Sequence, residues 1–326
     1  MIFGLLALPI IFFVGLYLWA NTFTSSLKVD LKQSITLVDI IKSYARILFK
    51  VPAKGNAFPA IEISAPLTFS ASHLQAYKSQ LKITDSDDIL PPFYLCAITG
   101  GFFLLASGHP QFPVRMLGAV NTSSEVRIHE PVQRKWLENG ELKASVTIGE
   151  VQEIRRGVEF ELVVKVTRGD RLVWSMIFRC LIFKKSSSTA SSKHLLKEEE
   201  VIGNNTETGS GSVRLPACAG RTYAKLSGDY NPIHIHNMLA KLFGFPRAIA
   251  HGMWVVQQAD ARGKQFVQRD IPQAVKVFFK KPSFLPCELN VSVYGGEKAN
   301  EGSFRVERLD KKKDNVVVIY GSVTKL

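Results

Sequence analysis

The sequence predicts an α+β chain built from two copies of one architecture behind an N-terminal apolar segment. Three observations predict it. Two regions each show helix patterns followed by several long strand patterns. A stretch rich in Ser, Thr, Gly and Asn separates them. Residues 2–20 form a run of apolar and small residues without a charge. At 326 residues the chain is long enough for two domains of ordinary size. Its hydrophobic content of 46% is in the globular range.

About 20 apolar residues suffice for a helix to cross a bilayer. A signal peptide would start with basic residues and end in a small-x-small cleavage site. Here no Lys or Arg precedes the run, and Asn21-Thr22-Phe23 follows it. Residues 1–22 are therefore expected to form an uncleaved transmembrane anchor, kinked at Pro9. Lys28, Lys32, Lys42, Arg46, Lys50 and Lys54 come next, so the positive-inside rule puts the bulk of the chain on the cytoplasmic side. The expected localisation is a single-pass membrane protein. Cys96, Cys180, Cys218 and Cys287 are far apart, with no C-x-x-C pair. That spacing argues against a structural zinc and for free thiols in a reducing compartment.

Residues 23–56 are expected to connect the anchor to the globular part. Within them Ile35, Val38, Ile41, Ala45 and Leu48 recur at helical spacing over 34–49, interleaved with Lys42, Arg46 and Lys50. This helix either lies on a membrane surface or packs as a core-facing connector. A first unit spans 57–185. Its helix pattern covers 93–106, after Pro91-Pro92 and before Ser107-Gly108. Strand patterns follow over 117–128, 142–148, 158–166 and 172–183, with Arg168-Gly169-Asp170 as a hairpin turn. Residues 186–212 lack apolar periodicity and read as a linker. The second unit, 213–326, opens on a short strand at 213–215. Helix patterns follow over 237–243 and 252–261, then strands over 274–280, 288–295, 303–308 and 316–324. Lys311-Lys312-Lys313-Asp314-Asn315 reads as a charged hairpin turn.

Chemistry concentrates in Ser227-Gly228-Asp229-Tyr230-Asn231-Pro232-Ile233-His234. Gly228, Asn231 and Pro232 are turn formers, so the segment is a shaped loop. An Asp and a His brought together by a turn make an acid/base pair. The competing reading is an Asx-turn with a solvent-facing histidine. Ala250-His251-Gly252-Met253-Trp254 opens an apolar helix pattern. A Gly at a helix N-terminus exposes backbone N–H groups, which can hold a carbonyl oxygen as it gains charge.

The stretch 223–254, with Ser-Gly-Asp-x-Asn-Pro-x-His, then Phe245-Pro246, then Ala-His-Gly-Met, resembles the hydratase motif of the MaoC-like, (R)-specific enoyl-CoA hydratase (hydratase 2) family. Phe278-Phe279-Lys280-Lys281-Pro282 with Pro286 is similar to the family's next strand. The resemblance implies a double hot-dog, two antiparallel sheets each wrapped on a central helix. It implies that 213–326 is the catalytic half and that 57–185, which lacks the motif, is a degenerate half. It further implies Asp229 and His234 as the pair that activates water and Gly252 as the oxyanion donor. Asn231, His251 and Met253 are expected around the substrate, with Asn231 also shaping the loop. Some family members carry a serine deeper in the central helix, where this chain has Asp260.

The implied reaction is reversible hydration of a trans-2-enoyl thioester to a (3R)-hydroxyacyl thioester. No cofactor or metal is expected. The carrier would be coenzyme A or acyl carrier protein; both are negative, which suits a chain of net charge +13. The basic residues are not interleaved with aromatics, which argues against nucleic acid. His236 reads as a helix-start residue, and a zinc site from His234, His236 and His251 lacks a supporting Asp, Glu or Cys at a suitable offset. Pairing into a homodimer stays open. So do two rival functions: a non-catalytic membrane-anchored acyl-thioester or lipid binder, and a hot-dog thioesterase.

Overall fold

The structure is a computed structural model that describes residues 28–31, 35–49, 60–84, 88–112, 114, 116, 119–186, 188–295, 301–309 and 315–326. The strands are β1 (Lys28–Asp30), β2 (Glu62–Pro66), β3 (Val120–Ile128), β4 (Leu142–Ile154), β5 (Gly157–Arg168), β6 (Arg171–Phe183), β7 (Thr206–Leu215), β8 (Gln273–Phe279), β9 (Cys287–Gly295), β10 (Glu301–Arg308) and β11 (Val316–Lys325). The helices are α1 (Leu37–Phe49), α2 (Ala71–Leu81), α3 (Tyr94–Ile98), α4 (Gly100–Gly108), α5 (Arg134–Glu138), α6 (Glu198–Ile202), α7 (Ala219–Ser227), α8 (Pro232–Ile235), α9 (Asn237–Leu242) and α10 (Gly252–Gln258). A π-helical turn, Ala259–Gly263, continues α10.

Alternation along the strands sets the layers. In β5, Phe160, Leu162, Val164 and Val166 are fully buried on one face. Burying such side chains contributes about 1.5–3 kcal/mol each. Between β5 and β6, Gly169 takes φ +56°, a left-handed conformation that suits glycine in a two-residue turn. The central helices are buried nearly all round. Met253, Trp254, Val255, Val256, Gln257 and Gln258 of α10 are all buried, as are Phe102, Leu104, Leu105 and Ala106 of α4.

The sheet order is β1-β2-β4-β5-β6-β3-β8-β11-β10-β9-β7. Leaving out β1, the order reads the same from either end: β2, β4, β5, β6, β3 match β7, β9, β10, β11, β8. The helices between β2 and β3 correspond to those between β7 and β8. This is the double hot-dog arrangement, with α4 and α10 as the two central helices. The halves do not form two separate sheets, as expected from the sequence. β3 and β8 pair antiparallel from Ser123↔Phe278 to Ile128↔Gln273, so one continuous sheet results.

Other boundaries move for physical reasons. The expected helix over 93–106 breaks at Thr99, whose hydroxyl donates to the Leu95 carbonyl (2.6 Å) ahead of Gly100-Gly101. The expected linker over 186–212 holds α6 and the first part of β7. β7 is an edge strand, mostly exposed over 206–212, and is specified by backbone pairing with β9 rather than by apolar alternation. α6 is fastened to the outer face of the second half, with Lys280 Nζ 2.8 Å from Glu198 and the Tyr320 hydroxyl donating to the Leu196 carbonyl (2.6 Å). Among the described side chains of α1, Ser43, Ala45, Arg46 and Ile47 are buried, whereas Val38 and Ile41 of the sequence's apolar stripe are exposed. All four cysteines are free thiols, and only Cys218 is exposed. The anchor expected over 1–22 and most of the charged turn at 311–315 lie outside the described residues. Among the described residues no helix is long and apolar enough to cross a membrane.

Candidate active site

The second half's loop begins where α7 stops. Gly228 closes α7 in a left-handed conformation. Asp229 Oδ1 then accepts the Asn231 N–H (3.1 Å), which makes an Asx-turn. Asn231 caps α8, its Oδ1 accepting the Ile233 N–H (3.4 Å), and Pro232 takes the first helical position. One turn of helix thus delivers His234. Packing fixes it there: a Cβ on Gly220 of α7 would stand 1.9 Å from the His234 carbonyl oxygen. Only glycine lets α7 approach so closely.

The Asx-turn is present, yet His234 is half-buried and held by protein partners, not solvent-facing as the competing reading required. Its Nδ1 donates to the Ile249 carbonyl (2.9 Å), and its ring stacks on His251 with centroids 3.8 Å apart. A carbonyl can only accept, so neutral His234 carries its proton on Nδ1 and offers a lone pair at Nε2. His251 is the mirror case. Its Nε2 donates to the Asp229 backbone carbonyl (3.0 Å) and lies 3.6 Å from Asp229 Oδ2. Tyr223 packs edge-on against His251.

Electrostatics keep both rings neutral. Burial holds His234 below the usual imidazole range, partly offset by the Asp229 charge. Burial, with His234 adding to it, pushes His251 down to about 3. One carboxylate oxygen of Asp229 and one ring nitrogen each of His234 and His251 lie within 4.8 Å of one another. An acceptor carboxylate and an imidazole are thereby brought into one group. α10 starts beside this group with Gly252, whose first-turn N–H has no partner within the helix and sits at the positive end of the helix dipole.

The other expected site residues do structural jobs. Asn231 is spent on the cap. His251 is buried and clamps the Asp229 backbone. Met253 is packed in the hydrophobic core. Asp260 is buried in the π-helical turn and pushed up to about 7 by that burial, and it accepts the Phe266 and Val267 N–H groups (2.8 and 2.9 Å). His236 caps α9, its Nδ1 accepting the Met238 N–H (3.2 Å), so it does not join His234 and His251. A second group, Glu150, Glu161 and His194, also brings ligand-type atoms together, but Lys193 and Arg179 pair with its two carboxylates.

Sequence reading missed three contributors. His73 of α2, in the first half, donates from Nε2 to the Leu226 carbonyl (2.8 Å) and takes the Tyr94 hydroxyl on Nδ1 (3.0 Å). Tyr77 donates to Gln257 Oε1 (2.8 Å) of α10. Tyr44 of α1 touches the Asp229 loop itself. None lies near the motif in sequence, and none belongs to a recognisable pattern.

Residues 211–314 match the family described as MaoC like domain. The match covers less than half of the chain. Asp229, His234 and Gly252 all fall inside it. The chain is 26% identical over 223 residues to the 3-hydroxyacyl-thioester dehydratase X of Mycobacterium tuberculosis, covering 68% of this chain and 72% of that protein. It is 46% identical over 52 residues to the peroxisomal enoyl-CoA hydratase 2 of Arabidopsis thaliana, covering 16% of this chain and 17% of that one. The crystal structure of HtdX from M. tuberculosis superposes with a TM-score of 0.63 at 21% identity, over 81% of this chain and 100% of that one. A further M. tuberculosis protein, described as having a double hotdog fold, gives a TM-score of 0.51 at 12% identity over 83% and 97%. The two structural likenesses bear on the fold.

Proposed function

We propose that this chain reversibly hydrates trans-2-enoyl thioesters to (3R)-hydroxyacyl thioesters, carried on coenzyme A or acyl carrier protein. The observation that carries the proposal is the convergence of the Asp229 carboxylate and the imidazole of a neutral His234 beside the N-terminal end of α10. Asp229 and His234 Nε2 each accept a hydrogen bond from the water, and one of these two bases takes a single proton as the hydroxide forms. As the hydroxide adds to C3, the electron pair of the double bond moves toward the thioester, and charge builds on its oxygen. The Gly252 N–H faces that charge. The proton taken from water then goes to C2, and the reverse sequence is dehydration. Neither of two relatives' names, a 3-hydroxyacyl-thioester dehydratase and an enoyl-CoA hydratase, requires more than these parts.

In this reading 213–326 is the catalytic half and 57–185 the half without a centre. The tether over 1–22 would hold the site at the cytoplasmic face of a membrane, a reading that rests on the apolar run and the lysines after it. The test is a spectrophotometric assay on crotonyl-CoA and longer enoyl-CoAs. Loss of the enoyl-thioester absorbance without release of free thiol, and a (3R) product on a chiral column, are the expected results. Release of thiol would make the protein a thioesterase. Binding without turnover would make it a carrier or sensor of acyl thioesters.

A further inference from the structure

α1 precedes both hot-dog halves in sequence, yet it reaches the candidate site. It lies along α4, the central helix of the first half. The contact is close because α4 ends in Gly108: a Cβ there would stand 3.0 Å from the Cα of Ser43. Ile35, before α1, sits against Gly101 at the other end of α4, where a Cβ would lie 3.3 Å from its side chain. Held against α4 at Ile35 and at Ser43, the helix directs Tyr44, next to Ser43, across the boundary between the halves.

The Tyr44 hydroxyl then meets the Asp229 loop at three points. It accepts the Tyr230 N–H, it lies 3.1 Å from the Gly228 carbonyl, and it lies 3.4 Å from Asp229 Oδ1. One hydroxyl proton therefore serves two acceptors. Asp229 Oδ1 receives that hydroxyl on one side and the Asn231 N–H on the other (3.1 Å). Oδ2 is the oxygen left facing the histidines, 3.6 Å from His251 Nε2.

We infer that Tyr44 is a positioning residue for the proposed reaction, a hydroxyl brought in by a helix outside the catalytic half to hold the Asp229 loop and turn Oδ2 toward the water. The inference rests on the hydratase reading of the site. Burial, reinforced by the Asp229 charge, holds the Tyr44 hydroxyl well above the usual phenol range, so its proton stays in place to be donated. α1 is thus part of the working unit and not only a connector between the N-terminal segment and the fold.

The test is Tyr44→Phe in the full chain, read in two ways. With crotonyl-CoA, kcat is expected to fall ~10-fold with KM within about twofold of the parent, the loss of one hydrogen bond to a charged group at the transition state. Amide exchange over 228–231 is expected to speed up by ~10-fold or more, since Tyr230 loses its acceptor. An unchanged kcat, or a matched change in KM and kcat, overturns the inference. So does unchanged exchange, and that measurement needs no substrate. A parent chain that hydrates no enoyl thioester sinks the hydratase reading by itself, while the exchange result still decides whether Tyr44 holds the loop.

Discussion

The two halves share one strand order around one helix, and they differ most where that helix begins. In the second half the approach to α10 carries Asp229, His234 and His251. In the first half the approach to α4 carries Leu90, Phe93, Tyr94 and Leu95, all buried in the core. The first half nevertheless faces the site. His73 holds the end of α7 through the Leu226 carbonyl, and Tyr77 holds Gln257 of α10. Buried polar groups need partners, because each unsatisfied one costs about 1–3 kcal/mol. A loop crowded with such groups is steadied by a neighbour that brings none of its own chemistry. The comparison teaches that duplication lets one copy become the support of the other.

The sharpest way to break this comparison is to remove the proposed pair. Asp229→Asn and His234→Ala should each lower enoyl-CoA hydration by ~10²–10⁴-fold with the circular dichroism spectrum retained. Activity that survives both would erase the difference between the halves. A smaller effect should come from Gly220→Ala, where the new methyl meets the His234 carbonyl. Overpacking of this kind costs about 1–3 kcal/mol, seen as a lower urea midpoint, and the shift of His234 should lower kcat as well. The smallest effect concerns pH. His251 has a folded-state value of about 3, below that of an unfolded histidine, so the unfolded chain binds the extra proton as pH falls. Its contribution to stability is intact above the unfolded value of about 6.5 and is lost as pH drops toward the folded value. Asp260, pushed up to about 7, acts in the opposite direction, so the comparison is with a variant. The drop in melting temperature between about pH 7 and about pH 4 should be smaller in His251→Gln than in the parent.

Much of this was legible in the sequence because it is local. Period-two patterns gave β5, β6 and β8 to β11 to within a few residues, and Gly169 marked the turn between β5 and β6. The loop from Gly228 to His234 was legible because turn formers and ionisable groups share eight positions. What stayed hidden is long-range. β7 has little apolar alternation because an edge strand needs only a backbone partner. The roles of Asn231 and His251 as cap and clamp depend on which carbonyl or N–H comes within reach. Tyr44 and His73 are distant from the motif in sequence, and only the packing of α1 and α2 brings them to it. Val38 and Ile41 misled for a related reason: α1 docks through Ser43, Ala45, Arg46 and Ile47, a face only partly shared with the apolar stripe.

The stretch between β6 and β7 sets a condition on any ancestor of this chain. Joining two five-strand copies at their β3 and β8 edges leaves the end of β6 inside the first copy and the start of β7 on the far rim of the second. The chain must cross six inter-strand gaps, ~29 Å at the usual spacing of strands in a sheet. Residues 184–205 make that crossing over an outer face that bears Lys280 and Arg305, to which Glu198 is tied. Their serines and charges fit a wet surface, and the distance sets a floor on their number, about nine residues at ~3.3 Å each. A fusion with a much shorter join could not have closed this sheet, so the connection records the width of the protein it spans.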